Sequence, residues 1–197
     1  MIQAIRDRRS IRTFLDIPVE RQDIEDILQS AVLAPSSKNR QPWKFVVIQG
    51  EAKAEMLKAF RTGIAREESG DALLPQSKKY IEGAKLTVHS MEQAPVVILA
   101  LNPLGKGVLA NLTPEERVYE TCNIQSLSAS LQNMLLAATE KGLGSLWICD
   151  IFFAYKELCA WLGNQGELIA AVAIGHTNES PAARPRKSLT DVVEWRN

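Results

Sequence analysis

Residues 113–142 constrain the fold more than any other stretch of this chain. Thr113 stands as a helix N-cap, Pro114 at the first helical position and Glu116 at the third, a capping box in which hydroxyl and carboxylate each take up an N–H of the first turn. Glu115 adds negative charge where the helix dipole is positive. No glycine or further proline interrupts the run before Gly142, so the spacing predicts one helix from Pro114 to Lys141. At about 1.5 Å per residue such a helix is roughly 40 Å long, the width of a small domain. Its apolar stripe Ile124, Leu127, Leu131, Met134, Leu135 and Ala138 is flanked by the small residues Ser126, Ser128, Ala129 and Ser130. Such a helix is either the axis of a core or a subunit interface.

The remaining elements have to pack around that axis. Residues 2–8 read as a short helix, and Ile24, Ile27, Leu28, Ala31 and Val32 give the stretch from Glu20 to Ala34 one apolar face before Pro35 ends it. Short apolar runs at Phe45–Gln49, Pro95–Leu101, Gly144–Cys149 and Glu167–Ile174 read as strands, the last closed by Gly175. Helices are expected at Glu51–Phe60, Ser77–Gln93 and Ala154–Leu162, with residues 61–76 a polar and mobile connection. Residues 102–111 read as loop, and the tail from Ser180 as an extended arm. Alternating helices and strands place the chain in the mixed α/β or α+β class with a small sheet, and at 197 residues it is expected to form a single domain over 1–197.

Composition excludes several functions. Lysine plus arginine equals aspartate plus glutamate at 23 each, so no global field draws the protein to nucleic acid or to an anionic membrane. No run of about 18 apolar residues exists, and no apolar core follows the charges of M-I-Q-A-I-R-D-R-R, so a cytoplasmic protein is expected. Cys122, Cys149 and Cys159 cannot all pair and form no C-x-x-C, which fits a reducing compartment. The two histidines, His89 and His176, have no metal-ligand spacing, so no metal site is expected. Neither nucleotide signature is present, G-x-G-x-x-G or G-x-x-x-x-G-K-[ST], and no catalytic triad or glycosidase pair can be read. Any cofactor has to be held in another way.

Four stretches carry chemistry. R8-R-S-I-R12 gathers three guanidiniums and a hydroxyl, groups that suit phosphate oxygens but also a solvated helix end. Arg184, Arg186 and Lys187 form a second basic group in the arm, and folding can bring the two chain ends onto one anion. A34-P-S-S-K-N-R-Q-P-W43 is longer than an ordinary connection of roughly 4–6 residues. Its hydroxyls and amides beside an indole suit a planar heterocycle with a polyol chain, or simply a turn that bonds its own backbone. G142-L-G-S-L-W-I-C-D150 allows close backbone approach at its glycines, or merely caps the long helix.

Taken in this order, R8-R-S-I-R12, A34-P-S-S-K-N-R-Q-P-W43 with F-V-V-I after it, the capped central helix, G142-L-G-S-L-W147 and the R-P-R-K arm resemble the FMN-dependent nitroreductase family. The likeness covers nearly the whole chain and is weakest at about 61–115, where that family varies. It implies an α+β fold, a three-layer sandwich with a small mixed sheet flanked by helices and a long central helix, assembled as a homodimer with two FMN molecules at the interface. By position it implies Arg8, Arg9 and Ser10 at the phosphate or ribityl chain, Arg12 near the pyrimidine edge, and Arg184 and Arg186 completing the phosphate site. Pro35, Ser36, Ser37, Asn39 and Gln41 would reach the flavin from the partner subunit. Backbone at Trp147, Ile148, Cys149 and Asp150 would face its N5 edge. The implied reaction is ping-pong: NADH or NADPH reduces FMN, and a nitroaromatic, quinone or similar planar acceptor takes the vacated place. Because the flavin does the redox chemistry, no catalytic side chain is required. Asp150 departs from the small residue common in the family. An FMN-binding protein without turnover, or a member using its flavin to dehalogenate, dehydrogenate or fragment the flavin itself, is the alternative.

Overall fold

A computed structural model of the chain describes residues 1–196; Asn197, the end of the expected arm, lies outside the described residues. Four strands form one antiparallel sheet in the order β1 (Lys44–Ile48), β2 (Val96–Asn102), β4 (Glu167–Gly175), β3 (Gly144–Ile148). Its parallel component is a single bridge between Ser10 and Ser145. The two central strands are apolar almost throughout because both of their faces are covered. Val97, Leu99, Leu101, Ala171 and Ala173 pack with α3 (Gly50–Ser69), α4 (Ile81–Gln93) and α6 (Tyr155–Trp161). The alternate residues Val96, Ile98, Ala100, Ala170, Val172 and Ile174 pack with α2 (Arg21–Val32) and α5 (Pro114–Glu140). A short α1 (Gln3–Asp7) precedes them. Helix, sheet and helix thus make three layers with a core on each side of the sheet. Among the described residues no helix is long and apolar enough to cross a membrane.

The capping box is in place. Glu116 N–H donates to Thr113 Oγ1 at 3.3 Å and Thr113 N–H to Glu116 Oε2 at 2.8 Å, and the helix ends before Gly142, whose φ of 72° is left-handed. One member of the expected stripe falls outside the core. Ile124 is 37% exposed, while Ser126 and Ser130 are buried, so α5 presents small polar residues to its neighbours as well as leucines.

The largest correction concerns residues 61–76. The sequence reads as a mobile connection after Phe60, but α3 continues to Ser69 and Gly70 closes it with φ 103°. Long-range packing overrides the weak local period. Gly63 lies so close to α6 that a Cβ there would fall 2.3 Å from Ala154 Cα, and Ile64 is buried beside it. Arg66 Nε donates to Glu157 at 2.7 Å and its Nη1 to Glu67 at 2.7 Å. Glu67 in turn accepts the N–H groups of Leu73 and Leu74 at 2.8 and 3.0 Å, which ties down the chain beyond the helix. The next α-helix starts later than expected, at Ile81, after a 3₁₀ turn over Pro75–Tyr80.

Candidate functional site

The two chain ends are sewn together along β3. Ile11 N–H donates to Ser145 O at 3.0 Å and Leu15 N–H to His176 O at 2.8 Å. Thr177 Oγ1 donates to Thr13 O at 2.7 Å, and Glu179 Oε2 accepts from both Arg12 N–H and Thr13 N–H, at 2.6 and 2.8 Å. This seam brings R8-R-S-I-R12 and the arm onto one cavity of about 260 Å³. Arg8, Arg9, Ser10, Arg12, Arg184 and Arg186 line it.

No carboxylate among the described residues lies within ion-pair distance of those five guanidiniums. Their contacts are instead to carbonyl oxygens: Arg9 Nη1 to Arg6 and Arg8, Arg12 Nη1 to Ser10, and Arg186 Nη1 to Arg184 and Pro185. A chain of zero formal net charge thus concentrates uncompensated positive charge at one place. The donor set, planar forks around a serine hydroxyl, matches a phosphate better than a single carboxylate.

The 34–43 connection is held by α2 on one side and β1 on the other, and its backbone is unusual. Lys38, Asn39 and Gln41 have φ values of 53°, 52° and 49°, left-handed conformations that side chains other than glycine adopt at a cost of about 1 kcal/mol or more each. The turn consumes part of its own polar inventory. Ser36 Oγ accepts from Gln41 N–H at 3.0 Å, and Gln41 Nε2 donates to Asn39 Oδ1 at 3.3 Å. Ser37 N–H donates to Ser126 Oγ of α5 at 3.1 Å, and the Arg40 guanidinium lies 4.4 Å from the Tyr119 ring centre. Pro35, Asn39 and Gln41 are exposed, and none of these residues lines the arginine cavity of its own chain.

Beyond β3 the chain turns through the expected edge. Ile148 is buried, Trp147 half-buried and Cys149 exposed. Asp150 accepts from Thr87 Oγ1 of α4 at 2.5 Å, so the unexpected carboxylate is tied to the region where the sequence likeness is weakest. Inside, Ser130 Oγ of α5 and Ser145 Oγ of β3 are buried without a hydrogen-bond partner among the described residues. All three cysteines are free thiols.

Sequence reasoning singled out the cations of the cavity and missed the groups that arrange them. Glu179, Thr177 and Thr87 act across 63–167 positions of chain, and no local pattern marks them.

Fold and cavity together define an α+β three-layer protein with an arginine-lined cavity built from both ends of the chain. The profile of the Nitroreductase family matches residues 5–176, and the chain belongs to that family. A Streptococcus pyogenes serotype M6 protein with the provisional name NAD(P)H nitroreductase is 51% identical over 97% of this chain and 96% of its own. Among solved structures, a Desulfovibrio desulfuricans protein with the provisional name nitroreductase, in complex with FMN, is similar at 26% identity and TM-score 0.68, covering 99% of this chain and 95% of that one. A BluB-like flavoprotein from Clostridium difficile 630 is similar at 25% identity and TM-score 0.76, over 99% and 98%.

Proposed function

We propose that this protein is an NAD(P)H-dependent FMN oxidoreductase that reduces nitroaromatics, quinones or similar planar acceptors. The observation that carries the reading is the convergence of two basic clusters, about 175 residues apart, on one cavity without a compensating carboxylate among the described residues. Arg8, Arg9, Ser10, Arg184 and Arg186 hold the phosphate of FMN. Arg12 lies toward the pyrimidine edge, where positive charge favours the anionic reduced ring. Pro35, Ser36, Ser37, Asn39 and Gln41 serve the cofactor of the partner subunit, which accounts for a strained connection that stays out of the arginine cavity of its own chain. Backbone at Trp147, Ile148, Cys149 and Asp150 faces the N5 edge. When bound, the flavin supplies the two-electron chemistry, taking hydride from NADH or NADPH and passing it on.

The assembly we propose is a homodimer of single-domain subunits. Val118 and Ile124 of α5 are 60% and 37% exposed, and Leu189, Val192 and Trp195 of the arm are 71%, 60% and 82% exposed, apolar side chains that a partner subunit would cover. Three free thiols support a cytoplasmic location. A second reading, a family member that uses its flavin for another reaction, is favoured by one feature. Asp150 puts a carboxylate where charge would oppose flavin reduction.

The deciding experiment is the absorbance spectrum of the purified protein, repeated without oxygen after NADH and then NADPH. A flavin spectrum that bleaches, in a particle of twice the chain mass by light scattering, is the expected result. A colourless protein that takes up no added FMN refutes the reading, and a monomer refutes the shared site.

A further inference from the structure

At the opposite end of the sheet from the arginine cavity, two carboxyl groups are buried together. Glu120 of α5 is 8% exposed and Glu167, the first residue of β4, is 7% exposed. The side-chain amide of Asn102, the last residue of β2, reaches both, 3.1 Å to Glu120 Oε2 and 3.4 Å to Glu167 Oε2. Glu120 also accepts Lys106 N–H at 2.6 Å, and Asn102 Oδ1 accepts Leu104 N–H at 3.1 Å. The pair and its asparagine therefore hold the start of the 103–112 loop.

Among the described residues no cation forms an ion pair with either acid. Lys106 turns its ammonium away to Glu116 in the capping box. Lys44 of β1 is bound to Gln165. From α6 come Tyr155 and Cys159, both pushed up by burial and so neutral around pH 7. Asn164 completes the wall of a cavity of about 290 Å³ against which Glu167 lies. Three glycines let the loops close over the acids. A Cβ at Gly105 would fall 2.5 Å from Glu167 Oε2, one at Gly166 2.8 Å from Asn102 O, and one at Gly107 3.0 Å from the Tyr155 hydroxyl. Glu120, with two N–H donors, is the better-solvated carboxylate. Glu167, with one long contact, is the costlier of the two to ionise.

We propose that Glu120 and Glu167 share one proton and form a pH-sensitive latch that ties the 103–112 loop to the sheet edge. Loss of the proton leaves two adjacent buried anions, and relief comes by swinging one into the cavity with the glycine loop that covers it. The latch stands on residues apart from the arginine cavity and does not depend on the proposed function.

Burial, then the charge of Glu120, pushes the Glu167 carboxyl up to about 7. A carboxyl raised in the folded state stabilises the fold fully below its ordinary value and loses that contribution as pH climbs through the raised one. Loosening thus sets in above the ordinary carboxyl range and is complete a little above neutrality.

Hydrogen exchange of the purified protein tests this, read at the hydrogen-bonded amides of Leu104, Gly105 and Lys106 and corrected for intrinsic rate. Wild-type protection should fall by up to tenfold per pH unit between about 4.5 and 7, the slope of one proton released on opening, and level off at higher pH. In Glu167→Gln, whose amide cannot ionise, protection should be independent of pH. A wild type without the slope, or a variant that keeps it, overturns the proposal. Should Glu167→Gln fail to fold, the wild type decides through a carbon-13 titration of its glutamate carboxyls. One carboxyl titrating near neutrality together with the Lys106 amide supports the latch, and two titrating in the ordinary carboxyl range overturn it.

Discussion

Replacing Arg184 with alanine separates a phosphate site from a merely basic surface. Arg184 reaches the cavity from the arm and, like its four partners, has no carboxylate within ion-pair distance among the described residues, so its removal frees no buried anion and the loss reads the ligand contact itself. A hydrogen bond to a charged group contributes about 1.5–3 kcal/mol, but Arg184 is exposed and solvent screens it, which argues for the lower end. About 1.5 kcal/mol corresponds to a roughly tenfold weaker Kd. Flavin fluorescence titration of both proteins with FMN and with riboflavin, which lacks the phosphate, closes a double-mutant cycle. The expected result is a roughly tenfold loss for FMN and none for riboflavin, with the FMN effect shrinking as salt is raised. Equal losses for the two flavins would refute the placement of Arg184 at the phosphate. Arg12→Ala should differ in kind, weakening both flavins, because its assigned contact is the ring edge.

Gly63→Ala should destabilise the fold although alanine favours helix by about 1 kcal/mol, since its Cβ would sit 2.3 Å from Ala154 Cα; a net cost of about 2 kcal/mol lowers Tm by roughly 4–8 °C, and an unchanged Tm contradicts the packing of α3 on α6. Arg66→Met removes the cation between Glu67 and Glu157. Burial pushes both carboxyls up, but hydrogen bonds from Arg66 and backbone N–H groups outweigh it and hold them below the ordinary range, so their stabilisation is present above about pH 4.5 and lost in acid. The variant should therefore be less stable than wild type by about 3 kcal/mol at pH 7, with the gap closing as pH falls, in denaturant melts across pH. Asp150→Asn should raise the flavin midpoint potential by on the order of 30 mV, equivalent to about 1.4 kcal/mol for two electrons. A spectroelectrochemical titration without a shift would place the carboxylate away from the ring.

Local signals account for most of what the sequence revealed about the fold. The capping box, the glycine stop and the one-faced period of α2 are each written within a few residues, so their boundaries came out within one or two positions. Continuous apolar runs told of strands buried on both faces, but not of their order, because register depends on partners far along the chain. The end of α3 was illegible for the same reason. Its second half is weakly periodic on its own, and its helicity follows from Gly63 meeting Ala154 and Arg66 meeting Glu157 across 91 positions. The buried Glu120 and Glu167 looked like two scattered acids, since nothing near either predicts that strand ends bring them together. Within the cavity the arginines were legible as clusters, and their convergence was one open possibility that the seam along β3 realises.

That seam leads to the sharpest distinction available between charge and position. Glu179 is bonded to the segment that carries the cavity's N-terminal arginines, yet its carboxylate makes no ion pair with them; it accepts the N–H groups of Arg12 and Thr13. If the cavity worked by net charge alone, removing this anion would tighten FMN binding, and Glu179→Gln and Glu179→Ala would behave alike. If Glu179 instead fixes the arm against the N-terminal segment, the two variants part. Glutamine keeps an acceptor oxygen for the amides and sheds the charge, so affinity should hold or rise. Alanine leaves two amides without their acceptor and lets the halves of the cradle separate, so FMN affinity should fall roughly tenfold, about 1.4 kcal/mol, with five guanidiniums still present. Similar affinities for both variants would return the arginines to a diffuse electrostatic role. A loss confined to alanine would mean that the phosphate is recognised by geometry, and that the geometry is set by a residue 167 positions from the backbone it holds.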